Sequence, residues 1–237
     1  MKVIRFRTEG IFNSFRVPFF RTYHKSFLAP PKTTIIGMLT NIAGKPEKWY
    51  YDILSSEAIQ VSVVINNIKG KAKDLWAYKT YVNKSGMHGR SVIRRDRLFH
   101  ASYWIYLKIN NEELKSTVLG ALYNPQNIPS LGLDDEIIKL YGVEEIDVAI
   151  NHSGKINSVF MDLGLKYSAL PLDYDDIIEL PTGNIVPLKF KSDLNQKGKR
   201  EWRIPQEEYK QIEYLNCEIE IEGIESYSDG LNRVVFY

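Results

Sequence analysis

The chain has one cysteine, Cys217, in 237 residues, so no internal disulfide can form, and its four histidines show no ligand spacing with that thiol. Both points favour a reducing compartment and argue against a structural zinc site. No apolar run reaches the roughly 18 residues that a membrane span needs, and the opening MKVIRFRTEG lacks the apolar core of a signal peptide. A cytoplasmic protein with no membrane partner is the expectation. The stretch Pro30 to Gly37 matches neither the P-loop nor the dinucleotide glycine fingerprint, which argues against nucleotide hydrolysis, and nothing calls for a cofactor or a metal. Low-complexity tracts and internal repeats are also missing. At 44% hydrophobic residues the chain can bury a core.

What is present is a division of charge. Residues 1–97 carry eighteen Lys or Arg against six Asp or Glu, and residues 98–237 carry thirteen against twenty-three. A basic part beside an acidic part points to a scaffold with one cationic face, and the polyanion such a face meets is nucleic acid.

Residues Lys2 to Phe6 alternate apolar and basic, predicting a half-buried strand with a cationic outer face. After Pro30 and Pro31, a cap from Thr33 or Thr34 and the spacing of Ile35, Met38, Leu39 and Ile42 predict a helix ended by Gly44. Lys45 to Leu54 reads as a second short helix opened by Pro46. Ala58 to Asn66 and Ala101 to Ile109 read as core strands. Between them, Leu75 to Val82 and Arg90 to Leu98 alternate around the turn chemistry of Asn83 to Gly86, a long projecting hairpin at about 67–100. From Lys69 to Arg97 there are nine basic residues and two acidic ones.

Glu112 to Tyr123 is an amphipathic helix, Asp134 to Leu140 a short helical piece, and Glu145 to Ile150 a fourth strand. That order gives an α+β, ferredoxin-like (RRM-like) domain over 1–150 with a β-hairpin thumb. Short strand candidates at Val159 to Leu163, Ile185 to Phe190, Cys217 to Glu222 and Arg233 to Tyr237 make 151–237 a small, mainly β C-terminal domain.

The chemistry-bearing stretch is Phe15 to Lys32, where cations, rings and an imidazole precede a helix start. Cations neutralise phosphates, rings stack on unpaired bases, and a helix N-terminus favours an anion. Phe15, Phe19, Phe20 and Phe27 are expected in the core; Arg16, Arg21, His24 and Lys25 are expected at RNA. The hairpin's apolar residues Trp76, Tyr78, Val82 and Val92 need the parent domain or a partner, and Met87 near the tip can wedge between bases. The acidic pairs Asp134 with Asp135 and Asp175 with Asp176 read as solvated surface. The basic run Lys197 to Arg203 is a second contact or an exposed loop. Tyr23, His24 and Lys25 are the one catalytic temptation, but adjacent strand residues alternate sides, so His24 would need help from His88 or His100.

The run SFRVPFFRTYHKSFLAPPKTTIIGMLTNIAG, Ser14 to Gly44, resembles the N-terminal signature of the CRISPR-associated Cas five proteins of the RAMP superfamily, above all at Pro30, Pro31, Thr33, Thr34 and Gly37. RSVIRRDRLFHASYWIYLKI is similar to that family's thumb return arm and following strand, and PSLGLDD to its post-helix loop; the likeness covers roughly the first 150 residues. The resemblance implies a non-catalytic subunit of a type I Cascade antiviral defense complex that holds the 5′ handle of the crRNA. The implied contacts are Arg16, Arg21, Tyr23, His24, Lys25, Lys32, Thr33 and Thr34, with Lys79, Met87, Arg90, Arg94, Arg95 and Arg97 on the thumb. The backbone Cas seven subunit and the large subunit are the implied protein partners, and target DNA is a further candidate. The alternative is a metal-independent endoribonuclease that processes precursor CRISPR RNA through His24. An adjacent Lys-His pair in the thumb is absent, as is the C-terminal glycine-rich loop of the related Cas six endonucleases.

Overall fold

A computed structural model describes residues 1–20, 23–81, 88–161, 163–169, 182–194, 200–205, 209–215 and 217–237. The first part runs β1 (Lys2–Asn13), β2 (Tyr23–His24), α1 (Lys32–Ile42), α2 (Glu47–Ser56), β3 (Ile59–Tyr81), β4 (His88–Ile109), α3 (Glu112–Tyr123) and β5 (Ile138–Asp147). The strands lie in the order β3-β4-β1-β5, each neighbour antiparallel, with β2 running parallel to β4 beyond the end of β1. This α+β sheet order is that of a split β-α-β unit, with β1 and β4 at its centre.

Central position explains β1. Ile4 and Phe6 enter the main core with Ile35, Leu39 and Ile42 of α1 and Val118 and Leu122 of α3. Val3 packs on the other face with Val64, Tyr106, Val148 and Val234. Because that second face is covered, the expected cationic outer side is not free. Arg5 donates to Asp229 at 2.7 Å and Glu144 at 2.6 Å, and Arg5 and Arg7 lie over the Trp104 ring at 5.1 and 5.6 Å. Asp229 also accepts from Tyr106 Oη at 2.8 Å. Burial opposes ionisation of Asp229, yet the Asn232 amide and these donors outweigh it and hold its carboxyl below the usual range.

Helix α1 starts two residues earlier than a Thr33 cap requires: Pro31 is its N-cap, extended at φ −68°, and no side chain caps the turn. Gly44 ends it at φ +60°. Asn111 caps α3, accepting from the Leu114 amide at 2.8 Å, with Glu112 and Glu113 at the positive end of the helix dipole. The short helical piece expected at Asp134 to Leu140 is absent. Its residues instead form a tight loop, with Ser130 bridged to Ile137, and β5 begins at Ile138, seven residues before the expected strand. The buried carboxylate of Glu136 draws this segment inward in place of a helical turn.

The hairpin is continuous with the sheet and is not a separate pair of strands. Strands β3 and β4 pair from Ile59↔Ile109 out to Tyr81↔His88, with one register shift between Ile65 and Asn67. The turn at 82–87, with Val82 and Met87, lies outside the described residues.

The remaining strands are β6 (Ala149–Ile150), β7 (Lys155–Ile156), β8 (Phe160–Met161), β9 (Tyr167–Ala169), β10 (Thr182–Pro187), β11 (Phe190–Leu194), β12 (Arg200–Pro205), β13 (Tyr209–Tyr214), β14 (Ile219–Ile221), β15 (Tyr227–Ser228) and β16 (Arg233–Val234). Ile156, Phe160, Leu215, Cys217, Ile219, Ile221 and Val235 form a cluster of their own. Val159, Val186, Ile212, Tyr214 and Tyr237 join the main core instead. Val61 and Tyr237 exchange two backbone hydrogen bonds of 3.1 Å, and the Val159 amide donates to Val63 at 2.8 Å, so the C-terminal residues cover the β3 edge.

Candidate nucleic-acid interface

A groove of about 660 Å³ opens between the base of the hairpin, the α1 N-terminus and the loop after α3. Its walls come from Arg16, His24 and Lys25, from Pro31, Thr33, Thr34 and Gly37 of α1, from Trp76, Arg95 and Asp96 of the hairpin, and from Ser130, Gly132 and Asp134. The α1 residues repeat at helical spacing, so one face of the helix, including its uncapped positive end, borders the opening. Phe190 and Pro187 supply an apolar wall.

Strand β2 divides the cations. Tyr23 pairs with Arg94 and His24 with Arg95, and the alternation sends the two pairs to opposite faces. On one face Arg94 lies over the Tyr23 ring at 5.4 Å, Tyr23 meets Phe20 at 4.9 Å, and Lys25 lies over Phe20 at 5.6 Å. On the other, His24 meets the Trp76 ring edge-on at 5.9 Å. Burial there, reinforced by Arg16 and Arg95, pulls the His24 imidazole below its ordinary value, so it is neutral at pH 7. Tyr23, His24 and Lys25 therefore do not converge as an acid-base set. Among the described residues His24 is the one histidine lining the groove; His100 packs on Phe99 at 4.5 Å.

The other sequence-derived residues divide sharply. Arg16, Lys25, Arg90 and Arg94 are exposed, and none makes an ion pair among the described residues. Lys32 is 8% exposed and its ammonium donates to the Tyr237 carbonyl at 3.3 Å, while Thr33 is buried and Thr34 half-buried. Arg95 is 4% exposed, donates to Asp74 at 2.8 Å, lies over Trp76 at 5.4 Å and approaches Glu136 at 4.0 Å. Arg97 lies 3.5 Å from Glu136, 3.7 Å from Asp74 and 4.8 Å from the Phe12 ring centre. Arg21 and Met87 lie outside the described residues; Lys79 is on β3 with its side chain outside them. In the Lys197 to Arg203 run, 197–199 lie outside them and β12 begins at Arg200; Asp175 and Asp176 also lie outside.

One expectation for the rings is corrected. Phe15 and Phe27 are buried and Phe20 packs on the core, but Phe19 is 56% exposed and meets Tyr209 at 5.8 Å. Trp76 and Tyr78 meet at 6.4 Å between ring centres, and both are exposed, as are Leu75 and Val92. Sequence reasoning missed Glu136, which is 1% exposed and accepts from the Ser14 and Leu133 amides behind the groove wall, because nothing in LGLDDE separates its carboxylate from the neighbouring aspartates.

A crystal structure of a CRISPR protein from Archaeoglobus fulgidus is similar to this fold with a TM-score of 0.58 at 12% identity, over 99% of each chain. A chain of a CRISPR RNA-guided surveillance complex matches with a TM-score of 0.56 at 14% identity, over 93% of this chain and 91% of its own. A further crystal structure, of a Cas protein, gives 0.40 at 18% identity over 57% of this chain, which spans 58% of that protein's length. No curated protein matches the chain significantly. The model of the family described as CRISPR-associated protein (Cas_Cas5) matches residues 3–164, well over half the sequence. The chain belongs to that CRISPR-associated Cas_Cas5 family.

Proposed function

We propose that this chain is a non-catalytic RNA-binding subunit of a type I CRISPR interference complex, holding the 5′ handle of the crRNA and capping a backbone of Cas seven subunits beside the large subunit. The observation that carries the reading is the groove, where exposed Arg16 and Lys25 stand beside the uncapped end of α1 and the Trp76 ring. Phosphates take the cations and the helix end, and an unpaired base takes the ring. Family membership and the likeness to a chain of an RNA-guided complex support it. RNA extracted from the purified protein should be short and share one repeat-derived 5′ segment. Recovery of unrelated cellular RNA, or of none, contradicts the reading.

Burial is the larger cause of the lowered His24 value, but a bound phosphate beside the ring offsets the fields of Arg16 and Arg95 and favours the charged imidazole, so binding is expected to take up a proton. The free-state value lies below the ordinary one. RNA affinity therefore rises as pH falls from about 7.5 toward about 5.5. Asp96 and Asp134 share the groove, and the gain must vanish in His24→Gln if His24 is its source. An identical pH profile in that variant removes His24 from the interface.

The neutral state of His24 is also what a general base requires, which is the one observation favouring precursor RNA cleavage. Cleavage of a repeat-containing RNA in EDTA, abolished by His24→Ala, would establish that reading; an uncut substrate removes it.

A further inference from the structure

We infer that Glu136 is the positioning residue of the groove, a carboxylate that touches no RNA yet sets where three of its walls stand; this rests on the RNA-binding reading above. One carboxylate oxygen accepts from the Ser14 amide at 2.7 Å and the Leu133 amide at 3.0 Å. The other accepts from the Ser14 hydroxyl at 2.6 Å and faces Arg97 at 3.5 Å and Arg95 at 4.0 Å. Ser14 leads directly into Phe15 and Arg16, Leu133 belongs to the post-helix loop, and Arg95 belongs to the hairpin base. Each of those segments is one wall of the groove.

The loop around the carboxylate is built to deliver it. Leu131 and Glu136 are joined by a backbone hydrogen bond of 3.0 Å, and Asn13 donates its side chain to the Leu131 carbonyl at 2.7 Å. Gly132 sits at φ +117°, and a Cβ there would overlap the Glu136 carboxylate and lie 2.7 Å from the Ser14 carbonyl oxygen. Only glycine lets the loop close over the charge. Burial pushes the Glu136 carboxyl up, against the pull of Ser14, Leu133 and Arg97. The carboxylate also cancels charge on two guanidinium groups whose Nε atoms are buried without a hydrogen-bond partner. Arg95 and Arg97 are thereby scaffold for the groove, and the phosphates fall to Arg16, Lys25, Arg90 and Arg94.

Glu136→Gln keeps the side chain's size and one acceptor while removing the charge, and Gly132→Ala displaces the carboxylate without altering it. Hydrogen exchange of the free proteins reads the inference without RNA. The Ser14 and Leu133 amides should lose protection in Gly132→Ala, and less so in Glu136→Gln, whose remaining oxygen can still accept from them without the charge, while the β1 and β4 amides keep theirs. With a single-stranded RNA that binds the wild type, affinity should fall by about tenfold, the size of a lost interaction between neighbours. The slope of log affinity against log salt should stay at the wild-type value, because no phosphate contact is removed. Unchanged protection at both amides overturns the inference even if RNA binds. A slope reduced by about 0.7 overturns it by making Glu136's partners phosphate ligands. Wild-type protein that binds no RNA, with amides exposed as expected, defeats the functional reading and leaves Glu136 as the organiser of the walls.

Discussion

Arg94→Glu and Arg95→Glu, one residue apart, are expected to give opposite phenotypes. Arg95→Glu should destabilise the fold by about 3–5 kcal/mol, the cost of leaving a buried charge without its partner. It places a third carboxylate against Asp74 and Glu136, where a guanidinium held both and lay over Trp76. Arg94→Glu should leave the denaturation midpoint within the small range of surface changes, because Arg94 is exposed and its side chain's partner among the described residues is the Tyr23 ring at 5.4 Å. Its RNA affinity should fall by about tenfold at low salt, as a phosphate contact is exchanged for repulsion. Urea denaturation and filter binding on the two purified variants read both arms. Equal loss of stability in the two would refute the division of the thumb arginines into scaffold and interface.

Neutralising the four exposed cations together, Arg16, Lys25, Arg90 and Arg94 to Gln, should have the largest effect on binding. Each phosphate contact on a single strand contributes about −0.7 to the salt slope, so four removals should flatten it by about 2.8 and lower affinity at 0.1 M salt by about 10³-fold. The fold should persist, since none of the four joins an ion pair among the described residues. A variant with the wild-type slope would place the RNA elsewhere on the molecule.

The charge division in the sequence points to the proposed interface but does not say which cations are available. Strand alternation could separate His24 from its neighbours, because a period of two needs no tertiary information. The spacing of Ile35, Leu39 and Ile42 marks α1, and its start lies two residues ahead of a Thr33 cap because Pro31 takes the N-cap position from extended backbone. By contrast, Arg94 and Arg95 look alike in RSVIRRDR. Their fates are decided by Asp74 across the hairpin and by Glu136, 41 positions away in sequence, and neither pairing has a local signature. The same holds for Arg5, whose partner Asp229 lies near the other end of the chain. Glu136 was illegible for a further reason. In a stretch of acidic residues solvation is the default, and only the tight loop around Gly132 turns one of them inward.

In the proposed function the groove and the outer hairpin grip an unpaired ribonucleotide strand through its phosphates. Titrating a repeat-derived single-stranded RNA against the wild-type chain from about 0.05 to 0.3 M salt tests it most directly. About five contacts predict a log–log slope near −3.5. An affinity indifferent to salt would contradict the account.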